Sequence, residues 1–234
     1  EIAQCLVGSE MCIRDSYLVM CMREEYVKKF YYLFWIFIVG CVAGWIIEGI
    51  FTFAKYGVLI NHSALVLGPF NVAYGFGACL LSVLLVKYKD DNYFKIFWIG
   101  FLGGTVLEYI MSWGMELVLG FTAWDYSSKF LNINGRVCLT YSVFWGILAI
   151  FWIKLIYPYL MKFIEKLDYS LGKKIMVGLL VFLAFNILLT FSAVLRAREC
   201  ERGIAPRNGY ERFLDKTFNQ KYLKNMYNNS WGDK

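Results

Sequence analysis

The chain has 234 residues, of which 59% are hydrophobic, 19% aromatic and only 18% charged, with a formal net charge of +6. Ordinary soluble domains carry about 25% charged and 45–50% apolar residues. This composition therefore argues against a soluble globular domain.

The first 16 residues are not expected to belong to the fold. Residues 6–16, LVGSEMCIRDS, match one translated frame of a transposase-type sequencing adapter, and residues 1–5 lie upstream in the same frame. We predict that residues 1–16 are an adapter translation to be excluded from fold reasoning; a short amphipathic leader is the alternative. The remainder carries 23 basic and 15 acidic residues, a net charge of about +8, and residues 17–29 form a short N-terminal segment.

Five long, mostly apolar runs follow. About 20 apolar residues cross the hydrocarbon core of a bilayer as a helix, and helices satisfy their own backbone groups in lipid. We therefore predict an all-α, polytopic transmembrane helix bundle of about five spans in the cell membrane, at 30–54, 65–86, 96–120, 137–161 and 175–195. Gly68-Pro69 and Gly114 are the positions where a span is expected to break.

Two segments rich in small residues lie within these runs. GCVAG (40–44) and GFLGG (100–104) have the small-xxx-small spacing that lets membrane helices approach closely. We expect both to be helix contacts.

Basic residues do not give one consistent orientation. Positive charge favours the cytoplasmic side, and the links on the side of the N-terminus hold most lysines. With five spans, however, the tail after Leu195 lies on the opposite side with four arginines near the membrane: Arg196, Arg198, Arg202 and Arg207. Orientation therefore stays open.

The basic tail, residues 196–234, has apolar residues at helical spacing, namely Tyr210, Phe213, Leu214, Phe218, Tyr222, Leu223 and Met226. This pattern predicts an amphipathic C-terminal helix on the membrane surface. A helix that docks on a partner protein is an equal alternative.

Ionisable side chains inside the runs gather near one end. Glu48 ends the first run, Glu116 ends the third and Arg136 precedes the fourth, so an antiparallel bundle places all three at one membrane face. Asn71 and Tyr74 begin the second helix at the same level, and Arg196, at the end of the fifth run, shares it. Glu108 lies two turns, about 12 Å, deeper than Glu116.

These positions predict a substrate- or ion-binding site made of Glu48, Asn71, Tyr74, Glu108, Glu116, Asp125 and Arg136. Charged groups in a bundle face the interior, pair, or line a water-filled path. Arg136 can hold one carboxylate through two parallel hydrogen bonds, which leaves Glu108 to take up a proton or a cation. The alternatives are that Arg136 and one glutamate only pin helices together, and that Asp125 only caps a turn.

Catalytic and metal sites are not predicted. The single histidine and the absence of CxxC spacing do not provide the closely spaced ligands of a zinc site. We expect no metal and no cofactor.

Three segments carry a family resemblance: GPFNVAYGFGACLL (68–81), LEYIMSWGMELVLGFTAWDYS (107–127) and NINGRVCLTYSVFWG (132–146). They resemble the CmpB-like family of bacterial membrane proteins, described as ABC-transporter permeases of type IV. GWIIEGIF (44–51) and RECERGIAPRNGYERFLDKTF (198–218) extend the resemblance to about residues 30–228. At 61–69 the chain reads NHSALVLGP, so His62 stands where the family more usually has arginine.

The resemblance implies a non-enzymatic transport subunit whose partners are the lipid bilayer, a second copy of the chain and a separate ATPase subunit, with no role for nucleic acid. The sequence has no GxxxxGK[ST] P-loop, so ATP hydrolysis by that route needs another chain. The link 162–174 is either a docking helix for that subunit or a plain amphipathic connector. Two other functions stay open: a membrane enzyme acting on a lipid-linked substrate, with Glu116, Asp125 and Arg136 as acid/base and anion clamp, and a non-catalytic accessory or sensor protein.

Overall fold

The computed structural model describes residues 2–59, 61–120, 122 and 124–227, with side chains from Glu24 onward except those of Tyr56 and Leu119. In this part of the chain the regular structure is helical: α1 (Ile2–Tyr56), α2 (Val72–Leu85), α3 (Tyr93–Leu119), α4 (Leu139–Phe151), α5 (Tyr157–Lys166), α6 (Tyr169–Glu201), α7 (Gly209–Thr217) and α8 (Gln220–Met226). The side chains of residues 1–16, the predicted adapter translation, lie outside the described residues. So do residues 228–234 of the predicted tail.

Four helical segments are long and apolar enough to cross a membrane: Glu24–Lys55, Tyr93–Val118, Leu139–Lys166 and Tyr169–Glu201. The third of these is continuous because a π-helical turn, Trp152–Ile156, joins α4 to α5. The predicted all-α membrane helix bundle is confirmed. Gly114 does not break α3, which runs on to Leu119.

The predicted second span is the one that differs most from expectation. Helix α2 begins only at Val72 and, with the 3₁₀ turn Val86–Tyr88 that follows it, forms a shorter apolar helix. Residues 61–71, including Gly68-Pro69, are not helical. Gly68 has a φ of +79°, a left-handed conformation that glycine adopts without steric cost.

This non-helical segment is held by polar side chains of α6. Asn186 is fully buried and pairs with both backbone groups of Leu67: its Nδ2 donates to the carbonyl oxygen at 2.6 Å, and its Oδ1 accepts from the N–H at 3.1 Å. Thr190 Oγ1 accepts from the backbone N–H of Val66 at 3.0 Å. Irregular backbone at membrane depth is tolerated where protein satisfies it in this way.

Replacing Asn186 with leucine should therefore destabilise the fold. The change leaves two backbone groups of Leu67 without partners, and each buried unsatisfied group costs about 1–3 kcal/mol. We expect a clear fall in the melting temperature of the detergent-purified protein. Ser192→Ala on the same helix is the matched control, because Ser192 Oγ bonds only the carbonyl of Leu188 one turn earlier; an equal fall in both variants would contradict the assignment.

Contacts between helices place two loops at one end of the bundle. At the end of the bundle away from these loops, the rings of Tyr31 and Tyr169 lie 5.0 Å apart, and Lys154 Nζ donates to the carbonyl oxygen of Asp91 at 3.1 Å. Loop 57–71, loop 120–138 and the C-terminal end of α6 form the other end, which we call the site end. There Arg198 of α6 lies against Gly120.

Small residues let the helices approach closely, as the glycine spacing predicts. A Cβ atom on Gly100 would lie 2.1 Å from Ala149 Cβ and 3.0 Å from the Trp145 carbonyl oxygen. A Cβ atom on Gly44 would lie 2.2 Å from the Tyr74 ring. The first contact joins α3 to α4, and the second joins α1 to α2.

The tail forms two short helices rather than one. Asn219 lies between the two helices and is the N-cap of α8, because its Oδ1 accepts from the backbone N–H of Tyr222 at 2.9 Å. The apolar faces of α7 and α8 pack on α6 and on loop 57–71, through Leu214, Phe218, Leu223 and Met226 on the tail and Val66, Leu189, Ala193 and Ala197 beneath. The part of the predicted apolar face nearest α6 thus packs against the chain itself, whereas Tyr210 and Phe213 are exposed.

The connection between α5 and α6 is shorter than predicted. The polar link expected at 162–174 consists of the end of α5, a turn at Leu167–Asp168 and the start of α6. Ile164 is buried in the main core, and Asp168 Oδ1 caps α6 by accepting from the Leu171 N–H at 2.7 Å. These contacts favour the connector interpretation.

Candidate functional site

Glu48 is held at the site end by side chains of loop 57–71. Asn71 Nδ2 donates to Glu48 Oε2 at 3.1 Å, and His62 Nδ1 lies 3.4 Å from the same oxygen. His62 Nε2 lies 2.7 Å from Thr52 Oγ1, one turn beyond Glu48 on α1. The loop thus covers the carboxylate with an amide and an imidazole.

Tyr74 connects Glu48 to the interior of the bundle. Its ring packs on the bare backbone of Gly44, and its hydroxyl interacts with the Glu48 carboxylate. Sequence reasoning placed Tyr74 at the level of Glu48, and the structure brings the two side chains together.

Glu108, on α3, is buried between the helices, with only 8% of its surface exposed. Tyr126 OH donates to its Oε1 at 3.1 Å, and Trp145 Nε1 donates to its Oε2 at 3.3 Å. Among the described residues, no basic side chain forms an ion pair with it. Ser112, one turn towards the site end, is fully buried and its hydroxyl has no hydrogen-bond partner in the described part of the chain.

The two donors to Glu108 were missed by sequence reasoning. Trp145 fits between α2 and α3 because Gly77 and Gly104 leave room for its ring. Tyr126 comes from loop 120–138, and its ring stacks on Tyr141 with centroids 4.5 Å apart. Burial and the nearby Glu108 carboxylate raise the pKa of Tyr126, so it remains a protonated donor.

Glu116 and Arg136 form the predicted ion pair, with one hydrogen bond rather than two. Arg136 Nη2 donates to Glu116 Oε2, while Nε and Nη1 are buried without partners among the described residues. The Glu116 side chain is 50% exposed and that of Arg136 is 15% exposed. Tyr109 presents its ring to the guanidinium, with 5.6 Å between the ring centroid and Cζ.

Asp125 shapes the loop in which Arg136 lies. Its Oδ1 accepts from the backbone N–H of Ser127 at 2.9 Å and from the Ser127 hydroxyl. Tyr126 N–H in turn donates to the Gly135 carbonyl at 2.7 Å. These bonds correspond to the turn-capping role that was the alternative for Asp125.

Arg196 does not join the glutamate cluster, although the sequence puts it at the same level. Its buried guanidinium donates two hydrogen bonds to Asp215, from Nε to Oδ1 at 2.8 Å and from Nη2 to Oδ2 at 3.1 Å. Its Nη1 lies 3.0 Å from Glu199 Oε2. Arg207 pairs with Glu199 and Glu211 nearby. Two of the four arginines near the membrane are therefore engaged in ion pairs that fasten the tail to α6.

Acid should release this tail. The hydrogen bond from Arg196 lowers the pKa of Asp215, and the backbone hydrogen bond from Arg207 lowers that of Glu211. A lowered folded-state pKa contributes stability that is present above the ordinary carboxyl pKa of about 4 and is lost as pH falls through the folded value. We expect protease cleavage between α6 and α7 to be slow at neutral pH and to accelerate below about pH 4.

The same ion pair can be removed at neutral pH. Asp215→Asn should expose the tail to protease already at pH 7, because Arg196 loses its charged partner. Lys216→Gln, an exposed neighbour on α7, should leave cleavage slow. Equal protection of Asp215→Asn and the unaltered chain would contradict the proposed fastening.

The fold and this cluster define a multi-pass membrane protein with carboxyl groups buried between its helices. The model of the family described as "Putative ABC-transporter type IV" matches residues 35–191, and the chain belongs to this family. The match contains Glu48, Glu108, Glu116 and Arg136 but ends before the tail. No curated protein and no solved structure shows significant similarity to the chain.

Proposed function

We propose that this protein is the membrane-embedded subunit of a transporter and that Glu108 and Glu48 take up a proton or a cation during its cycle. Family membership and the apolar helices support the transport class. The polar cluster supports the role of the two glutamates.

The observation that carries the proposal is the environment of Glu108. Its carboxyl group lies within the span Tyr93–Val118 and receives hydrogen bonds only from two uncharged donors among the described residues. A carboxylate in this setting is costly unless it is protonated or neutralised by a cation. An amide could accept from Trp145 Nε1 through its oxygen and donate its NH2 group to the Tyr126 hydroxyl oxygen without burying a charge, so a structural role that only holds helices together does not require an acid here.

Glu48 gives the second position along the same route. It lies at the site end, is partly exposed, and interacts with the Tyr74 hydroxyl. A proton or cation that enters beside His62 and Asn71 thus meets a shallow carboxylate before a deep one. Non-helical backbone at 61–71 lies next to this entrance, a feature common at ion sites of transporters.

Energy for transport comes from a separate ATPase chain in this proposal, since the sequence has no P-loop.

The test is purification of the intact chain from its native membrane, followed by mass spectrometry of what remains bound. We expect a P-loop ATPase in a fixed ratio to the chain, absent from a control purification of an unrelated multi-span protein. Recovery of the chain alone, combined with lipid turnover by that purified chain in detergent, would contradict transport and support the enzyme alternative.

A further inference from the structure

We propose that Arg136 is the binding site for an oxyanion, the carboxylate or phosphate group of a ligand, and that Glu116 occupies this site when the ligand is absent. The proposal goes beyond proton or cation uptake at Glu108, because it assigns an anionic group to a different side chain.

The first observation is the unfilled hydrogen-bonding capacity of Arg136. A guanidinium has five N–H donors in a planar fork. Only Nη2 reaches Glu116, and the buried Nε and Nη1 have no acceptor among the described residues. Buried donors without partners are costly, more so when they are charged. Nε and Nη1 are therefore the two donors with which Arg136 can bind a further acceptor.

The second observation is that Arg136 is held in place from several sides. The Tyr109 ring lies beneath its guanidinium, and Trp124 Nε1 donates to its backbone carbonyl oxygen at 2.8 Å. Asn134 Nδ2 donates to the Tyr109 hydroxyl at 2.9 Å, which fixes that ring. A side chain fixed before binding loses less conformational entropy when a ligand arrives.

The third observation is the exposure of Glu116. Half of its side chain is open, whereas 15% of the Arg136 side chain is exposed. Nη2 belongs to both edges at which a guanidinium binds an oxyanion bidentately, Nε with Nη2 and Nη1 with Nη2. Nη2 has two N–H groups, one on each edge, so Glu116 occupies one edge with a single oxygen, and it can turn outwards to water when another anion takes that edge.

This geometry assigns the ligand to a chemical class. A carboxylate or phosphate matches the planar fork, and the site end is where α3 finishes and α4 begins, the level of lipid headgroups. The oxyanion then belongs either to an anionic lipid or to a small anion from water. Both sources present the same group to Arg136, and two separate binding measurements distinguish them.

The experiment measures binding of two probes to the purified full-length chain. Inorganic phosphate is titrated calorimetrically against protein in nanodiscs of zwitterionic lipid, and phosphatidylglycerol is counted by native mass spectrometry after release from detergent. We expect Arg136→Gln to weaken binding of one probe about tenfold or more, and Arg136→Lys to fail to restore it because lysine lacks the planar fork.

Glu116→Gln is the decisive variant, since it keeps Arg136 and removes only the competing carboxylate. We expect it to bind the same probe more tightly, by about threefold or more. Lys129→Gln removes one positive charge from an exposed position of the same loop and should leave binding unchanged.

Three results would overturn the proposal: no binding of either probe to the unaltered chain, equal binding by Arg136→Gln, or weaker binding by Glu116→Gln. None of these depends on an ATPase partner or on transport. Failure of the proposed transport function and failure of this anion site are therefore separate outcomes.

Discussion

Glu108→Gln should leave the protein folded and its complex assembled, while ATP hydrolysis coupled to transport falls by at least about tenfold, a barrier increase of about 1.4 kcal/mol. Glutamine is close to glutamate in size and keeps an oxygen that can accept from Tyr126 or Trp145. It cannot take up a proton or neutralise a cation. The expected signature is loss of activity without loss of stability.

The measurement is ATPase activity of the complex reconstituted in liposomes, together with the melting temperature of each variant. Glu165→Gln, an exposed glutamate near the opposite end of the bundle, is the control and should retain full activity. Unchanged activity in Glu108→Gln would contradict a role in transport. A lowered melting temperature would show instead that Glu108 holds the fold together.

Gly100→Ala should have the largest effect on stability. The new Cβ atom would lie 2.1 Å from Ala149 Cβ and 3.0 Å from the carbonyl oxygen of Trp145. The carbonyl is helix backbone and cannot turn aside, so α3 and α4 must separate. Overpacking of this kind costs about 1–3 kcal/mol or more, and separation also pulls Trp145 away from Glu108.

Gly114→Ala on the same helix provides the comparison. Nothing lies within 4 Å of a Cβ atom added there, so alanine should be neutral or stabilise the helix by up to about 1 kcal/mol. We expect thermal unfolding in detergent to separate the two variants clearly, with Gly100→Ala lower. Similar melting temperatures for both would show that α3 and α4 do not pack as described.

Close packing at Gly100 and Gly44 was predictable from the sequence because small residues at a spacing of four define one helix face. The shared end of Glu116 and Arg136 was also predictable, since antiparallel order fixes depth from position along each run. A break at Gly68-Pro69 was predicted as well, but the start of α2 at Val72 was not. Residues 65–71 are mostly apolar, as a membrane-spanning helix would be. Their backbone is instead hydrogen-bonded by Asn186 and Thr190, which lie more than a hundred positions away in the sequence.

The partners of the carboxyl groups show the same limit. Asn71 lies near Glu48 as expected, because both lie next to the loop that joins α1 and α2. Tyr126 and Trp145 could not be assigned to Glu108, because hydrophobic periodicity treats both as core or interfacial aromatics. Arg196 was grouped with the glutamates by depth alone, whereas its direction around α6 brings it to Asp215.

In the proposed cycle the Glu108 carboxyl group, between Tyr126 and Trp145, gains and loses a proton or a cation. Infrared difference spectroscopy of the protein in lipid, recorded as pH is varied, tests it directly in the carbonyl-stretch region of protonated carboxylic acids. We predict a pH-dependent band in the unaltered chain that persists in Glu165→Gln and disappears in Glu108→Gln. The same band in Glu108→Gln would contradict proton uptake at Glu108.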